Sequence, residues 1–137
     1  MGTDIASLAD LLGLRPGLVV QELGWDSDVD EGFRTTVMDA VDGDLVEETD
    51  DAVDVVVLWW RSEDGDVVDG LFDALRDLSN TGCLWLLTPK VGRVGHVAQA
   101  DLQEGAVTAG LALTTSPTVS KTWACHKLVR PKGTTRR

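Results

Sequence analysis

Two stretches of the chain are apolar enough to be strands buried on both faces. Residues 53–60 are apolar except at Asp54, and residues 83–88 read Cys-Leu-Trp-Leu-Leu-Thr before Pro89 stops the run. A strand with one wet face alternates with period two, whereas near-continuous Val, Leu and Trp is the habit of a central parallel strand. A further strand is predicted at 18–23 after the Pro16-Gly17 turn, and a short one at 45–48. Residues 111–115 and 121–129, either side of Ser116-Pro117, read as two more.

Between these strands the apolar period changes to that of a helix. Ile5, Leu8, Leu11 and Leu12 form one stripe over residues 4–12, with Thr3 as N-cap and Gly13 as stop. Val29, Phe33, Val37, Ala40 and Val41 share a face over 29–41, where Ser27 or Asp28 can cap. Over 66–79, Val68, Leu71, Phe72, Leu75 and Leu78 recur at helical spacing. Asp66 reads as the N-cap of that helix and Asp69 as a first-turn acid, and Gly82 lies just past its end. A last helix is predicted over 99–109, closed by Gly110.

This alternation predicts a small Rossmann-like α/β fold: a mostly parallel sheet, helices on both faces, and a C-terminal antiparallel hairpin. The length suits one domain, taken as residues 1–130, with 131–137 as a flexible basic tail. No apolar run approaches the roughly 20 residues that cross a bilayer, and the N-terminus has no secretory pattern, so a cytoplasmic setting without membrane contact is expected. Cys83 and Cys125 stand apart in strand-like segments and are read as buried reduced thiols.

The net charge of −11 is unevenly spread. Residues 22–77 carry 19 acids against Arg34, Arg61 and Arg76, while residues 78–137 carry Asp101 and Glu104 against eight bases. The acidic balance argues against duplex DNA as a partner, and the asymmetry allows copies to associate head to tail. Catalytic signals are sparse. There is no nucleophile elbow, no phosphate loop and no tyrosine; His96 and His126 lack the spacing of metal ligands, and the acids Asp26, Asp28, Asp30 and Glu31 lack the glycine and later glutamate of a calcium loop.

In an open α/β sheet, ligands bind beyond the carboxyl ends of the strands. Three such ends can be named: Gly24-Trp25-Asp26, Trp59-Trp60-Arg61 and Thr88-Pro89-Lys90, with Arg93 and His96 just after. They predict an aromatic-lined cleft containing Trp25, Asp26, Trp60 and His96, with a cationic rim of Arg61, Lys90 and Arg93, suited to an anionic group or an acidic partner segment. Trp59 and Trp85, inside apolar runs, are assigned to the core.

Three segments together resemble an uncharacterised actinobacterial family, domain of unknown function 3052: Val19-Val20-Gln21-Glu22-Leu23-Gly24-Trp25-Asp26, Val57-Leu58-Trp59-Trp60-Arg61, and Leu84-Trp85-Leu86-Leu87-Thr88-Pro89-Lys90. The likeness covers roughly residues 13–132 and implies no established activity. A looser resemblance, carried by Gly82-Cys83-Leu84-Trp85 with Pro89-Lys90 and by the terminal hairpin, is to methyltransferases. The first turn, however, has one glycine and a bulky indole where an S-adenosylmethionine site needs a glycine-rich turn. Glu47 or Glu48 remains for the ribose. The reading is therefore a non-catalytic regulatory or adaptor domain with no cofactor, binding a protein partner or an anionic small molecule at the strand ends. The alternatives are a divergent S-adenosylmethionine-dependent methyltransferase and single-stranded nucleic-acid binding by tryptophans and the basic tail.

Overall fold

A computed structural model describes residues 12–131. The predicted helix over 4–12, apart from Leu12, and nearly all of the basic tail lie outside the described residues. The elements are β1 (Val20–Leu23), α1 (Glu31–Val41), β2 (Val53–Trp59), a single 3-10 turn (Ser62–Asp64), α2 (Val67–Leu75), β3 (Leu78–Pro89), α3 (Gln99–Thr108), β4 (Ala112–Thr115) and β5 (Trp123–Val129).

The sheet order is β1-β2-β3-β5-β4. The first three strands are parallel, with Val55 opposite Val20 on one side and Cys83 on the other. β5 lies between β3 and β4 and runs against both. The sheet is thus the mostly parallel one expected from the doubly buried runs, ending in an antiparallel pair.

Alternation along the two central strands divides the core into two layers. Val55, Val57, Trp59, Trp85 and Leu87 pack under α1 against Phe33, Val37 and Val41. Val56, Leu58, Leu84 and Leu86 pack on the other side against Leu71 and Ala74 of α2 and Leu102 and Ala106 of α3. Trp59 and Trp85 are both fully enclosed, as the pattern predicts. Phe33 and Trp123 meet the Trp59 ring edge-on, at 5.7 and 4.9 Å between centroids.

Four local predictions need correction. The strand at 45–48 shrinks to a single bridge between Val46 and Gln21, because the chain turns at once into Glu47, Glu48, Asp50 and Asp51, whose charges cannot be buried along a sheet edge. The helix over 66–79 stops at Leu75, and Leu78 already belongs to β3. Gly82 does not end that helix; it lies within β3, where a Cβ would stand 2.6 Å from the Asp54 carbonyl oxygen. The missing side chain admits a register shift: Leu78 faces Val53, but Cys83 faces Val55. Finally, α1 is capped by Asp30, whose carboxylate accepts from the Phe33 amide at 3.0 Å, and not by Ser27 or Asp28. Asp66 caps α2 as predicted.

Candidate binding site at the strand ends

The turn after β1 is built against the end of β2. Gly24 has φ +79°, and a Cβ on it would lie 2.2 Å from the Trp59 carbonyl oxygen, so only glycine permits this approach. Arg61, just beyond β2, then fastens the turn in place. Its Nη1 donates to the Gly24 carbonyl at 2.8 Å, while Nη2 and Nε donate to the two Asp28 oxygens at 2.5 and 3.1 Å. Its guanidinium also lies 5.1 Å from the Trp123 ring centroid. The hydrogen bond from Arg61 holds the Asp28 carboxyl below the usual carboxylate range, and the charge of Arg93 adds to the effect.

A buried acid also backs this turn. Glu22 accepts from Arg34 Nε and Nη2 at 2.7 and 2.8 Å and from Trp59 Nε1 at 2.9 Å. Trp123 Nε1 donates to the Asp28 carbonyl at 3.1 Å, and the Ser120 hydroxyl to Asp30 at 2.5 Å, so the β1–α1 turn is also tied to the start of β5. Nothing in the local pattern marks Glu22 or Ser120 for these roles.

The anticipated single cleft is divided. Trp25, Asp26, Trp60 and Arg61 share an open cavity of about 520 Å³ flanked by Asp73 of α2 and by Arg76, its C-cap. Trp60 lies along Gly70, where a Cβ would come within 2.7 Å of the indole. Lys90 and His96 line a different cavity of about 390 Å³, together with Thr88 and His126. Arg93 lines neither of these two and is exposed on the intervening loop. The expected rim also needs correction at Arg61, which is only 7% exposed because its charge is spent on Asp28 and Gly24.

The loop after β3 has its own regularity. Lys90-Val91-Gly92-Arg93 and Arg93-Val94-Gly95-His96 are successive turns, closed by Arg93 N–H to the Lys90 carbonyl at 3.0 Å and His96 N–H to the Arg93 carbonyl at 3.2 Å. Gly92 and Gly95 occupy the third positions at φ +88° and +90°, as a type II turn requires. The second positions therefore push Val91 and Val94 into solvent, 82% and 90% exposed, on either side of Arg93. The Ser62 amide donates to the Gly95 carbonyl at 2.9 Å and pins the loop to the end of β2.

The fold is that of a methyltransferase-like Rossmann domain. A protein of Thermoplasma acidophilum assigned as a methyltransferase superposes with a TM-score of 0.63 at 10% identity, covering 97% of this chain and 78% of that one. A SAM-dependent methyltransferase from Aquifex aeolicus gives 0.61 at 13% identity over 91% and 88% of the two chains, and magnesium protoporphyrin IX methyltransferase from Synechocystis gives 0.55 at 14% over 93% and 78%. At these identities the likeness is one of fold. The chain belongs to the family described as protein of unknown function DUF3052, whose model matches residues 9–132. Uncharacterised proteins of Mycobacterium tuberculosis and Mycobacterium bovis are 44% identical over 129 residues, covering 93% of this chain and 81% of each relative. Among the described residues, no helix is long and apolar enough to cross a membrane.

Proposed function

We propose that the chain is a non-catalytic adaptor domain on a methyltransferase-like scaffold, and that its partner is a protein presenting an acidic and apolar segment to the loop of residues 90–96. The observation that carries this reading is Arg61. A dinucleotide- or S-adenosylmethionine-type site needs free backbone at the first turn and room for the ligand to approach it. Here Gly24 is closed against the Trp59 carbonyl, its own carbonyl is taken by Arg61, and the guanidinium bridges on to Asp28. Glu47 and Glu48 are exposed on a link rather than set at the end of a strand. These residues do not fit the cofactor.

The docking half of the reading rests on the loop. Exposed valines beside Lys90 and Arg93 make a small surface that is apolar and cationic at once, on a chain whose acids are concentrated in residues 22–77. Two experiments test the reading. Isothermal titration with S-adenosylmethionine and S-adenosylhomocysteine should give no saturable heat, and saturable binding of either would overturn the non-catalytic assignment. Affinity capture from the host should recover proteins with the wild type that are lost with Val91→Asp/Val94→Asp or Lys90→Glu/Arg93→Glu; equal recovery would remove the loop from consideration.

A further inference from the structure

Among the described residues, the most exposed large apolar side chains fall into two patches. Val91 and Val94 stand on the loop after β3, beside Lys90 and Arg93. Phe72 of α2 and Val107 of α3 are 53% and 77% exposed on the helical layer. Apolar groups gathered on a surface mark a docking face, where single scattered ones do not.

The second patch is as acidic as the first is basic. α2 and α3 approach closely because Gly105 has no side chain; a Cβ there would lie 2.8 Å from a Val67 methyl group. The groove between the two helices, about 590 Å³, is lined by Asp66, Asp69, Asp101 and Glu104 and by no lysine or arginine. Phe72 is one turn beyond Val68, and Val107 one turn beyond Glu104, so both lie on the helix faces that border this groove. Neither the acids of the groove nor Lys90 and Arg93 of the loop form an ion pair among the described residues.

The two patches adjoin. His96, which ends the loop, and Val97 after it both line the acidic groove. The loop is held out of its own groove by its two fixed turns and by the hydrogen bond from the Ser62 amide to Gly95. Building on the reading of this loop as the docking surface, we propose that its acidic and apolar partner is a second copy of this chain. A basic loop and an acidic groove side by side on one face are self-complementary. A two-fold axis between them sets each loop in the other copy's groove, with the valines against Phe72 and Val107 and the cations facing the acids. Both surfaces are used at once, so the assembly closes as a dimer instead of growing into a chain.

Sedimentation equilibrium of the full chain tests this with two charge-reversed variants, Lys90→Glu/Arg93→Glu in the loop and Asp69→Lys/Glu104→Lys in the groove. None of the four side chains holds a hydrogen bond or ion pair among the described residues, so both variants keep the fold. At about 100 μM, which populates a dimer of micromolar Kd, the wild type should be dimeric. Each variant alone should dimerise about a hundredfold more weakly, because like charges then meet at both contacts. An equimolar mixture of the two should restore the dimer, since the reversed loop of one meets the reversed groove of the other and the native pair meets as well. A monomeric wild type, a dimer that neither variant weakens, or a mixture that stays monomeric would overturn the proposal. A monomeric wild type whose loop still captures a host protein removes the second copy and keeps the loop reading. A dimer that survives both variants, together with host capture that survives the loop variant, removes the loop reading too.

Discussion

Arg61 and Asp28, 33 positions apart, meet through two parallel hydrogen bonds and so hold the turn after β1 against the end of β2. The pair is asymmetric: the arginine side chain is 8% exposed and the aspartate 53%. Removing the arginine leaves an acid that water can reach; removing the acid leaves a buried cation.

Arg61→Ala should therefore destabilise the fold by about 2–3 kcal/mol, less than loss of a partner in a fully enclosed pair, because Asp28 rehydrates. Much of that loss is packing against Trp123, so Arg61→Met should recover part of it. Urea denaturation midpoints measure both. A cost for Arg61→Ala within the scatter of surface substitutions would show that the turn holds without its clamp.

Asp28 also sets a pH dependence. Its folded pKa is depressed by Arg61, so the unfolded chain takes up the proton first as pH falls. The stability it contributes is complete above the ordinary carboxylate range and disappears as pH drops through the lower folded value. Melting temperatures measured across the acid limb should fall less steeply in Asp28→Asn than in the wild type.

His126 acts at milder acidity. Burial lowers its folded pKa below the ordinary value of 6.5, so the unfolded state again binds the proton first. Stability is full above about pH 7 and declines as pH falls through the usual imidazole range toward the folded value. His126→Gln should flatten that decline in a series of thermal melts between about pH 7.5 and 5.5. An unchanged slope would mean that the ring titrates alike in the folded and unfolded states.

Two glycines with similar backbone angles separate strain from collision. Gly17 has φ +95° with nothing within 4 Å of a virtual Cβ, so Gly17→Ala should cost about 1 kcal/mol from the left-handed backbone alone. Gly24→Ala adds a clash with backbone at 2.2 Å that no rotamer relieves, and it should cost at least about 3 kcal/mol or prevent folding. Equal denaturation midpoints for the two variants would contradict the close approach to Trp59.

The thiols should be slow to alkylate in the native protein. Burial raises the pKa of both, most strongly at Cys125, while the charge of Lys127 partly offsets the rise at Cys83. Iodoacetamide with mass-spectrometric readout should modify Cys83 first and Cys125 only on unfolding.

The hydrophobic pattern by itself determined the central strands, the existence of the three described helices, the enclosed positions of Trp59 and Trp85, and the cap at Asp66. Each of these reports local burial or a contact within one turn, which short-range spacing encodes. Only the tertiary structure decided which acids work as partners. Asp26, Asp28, Asp30 and Glu31 look alike along the chain, yet Asp30 caps α1, Asp28 clamps Arg61 and Glu31 meets Arg34 on the surface. Glu22, inside a strand, closes on Arg34 and Trp59; Ser116, just past β4, pairs with His126 of β5; and Trp123 reaches Asp28 from 95 positions away. A carboxylate or an imidazole has the same local signature whether it ends in water or in a buried pair. Its fate depends on which distant strand end folding places beside it.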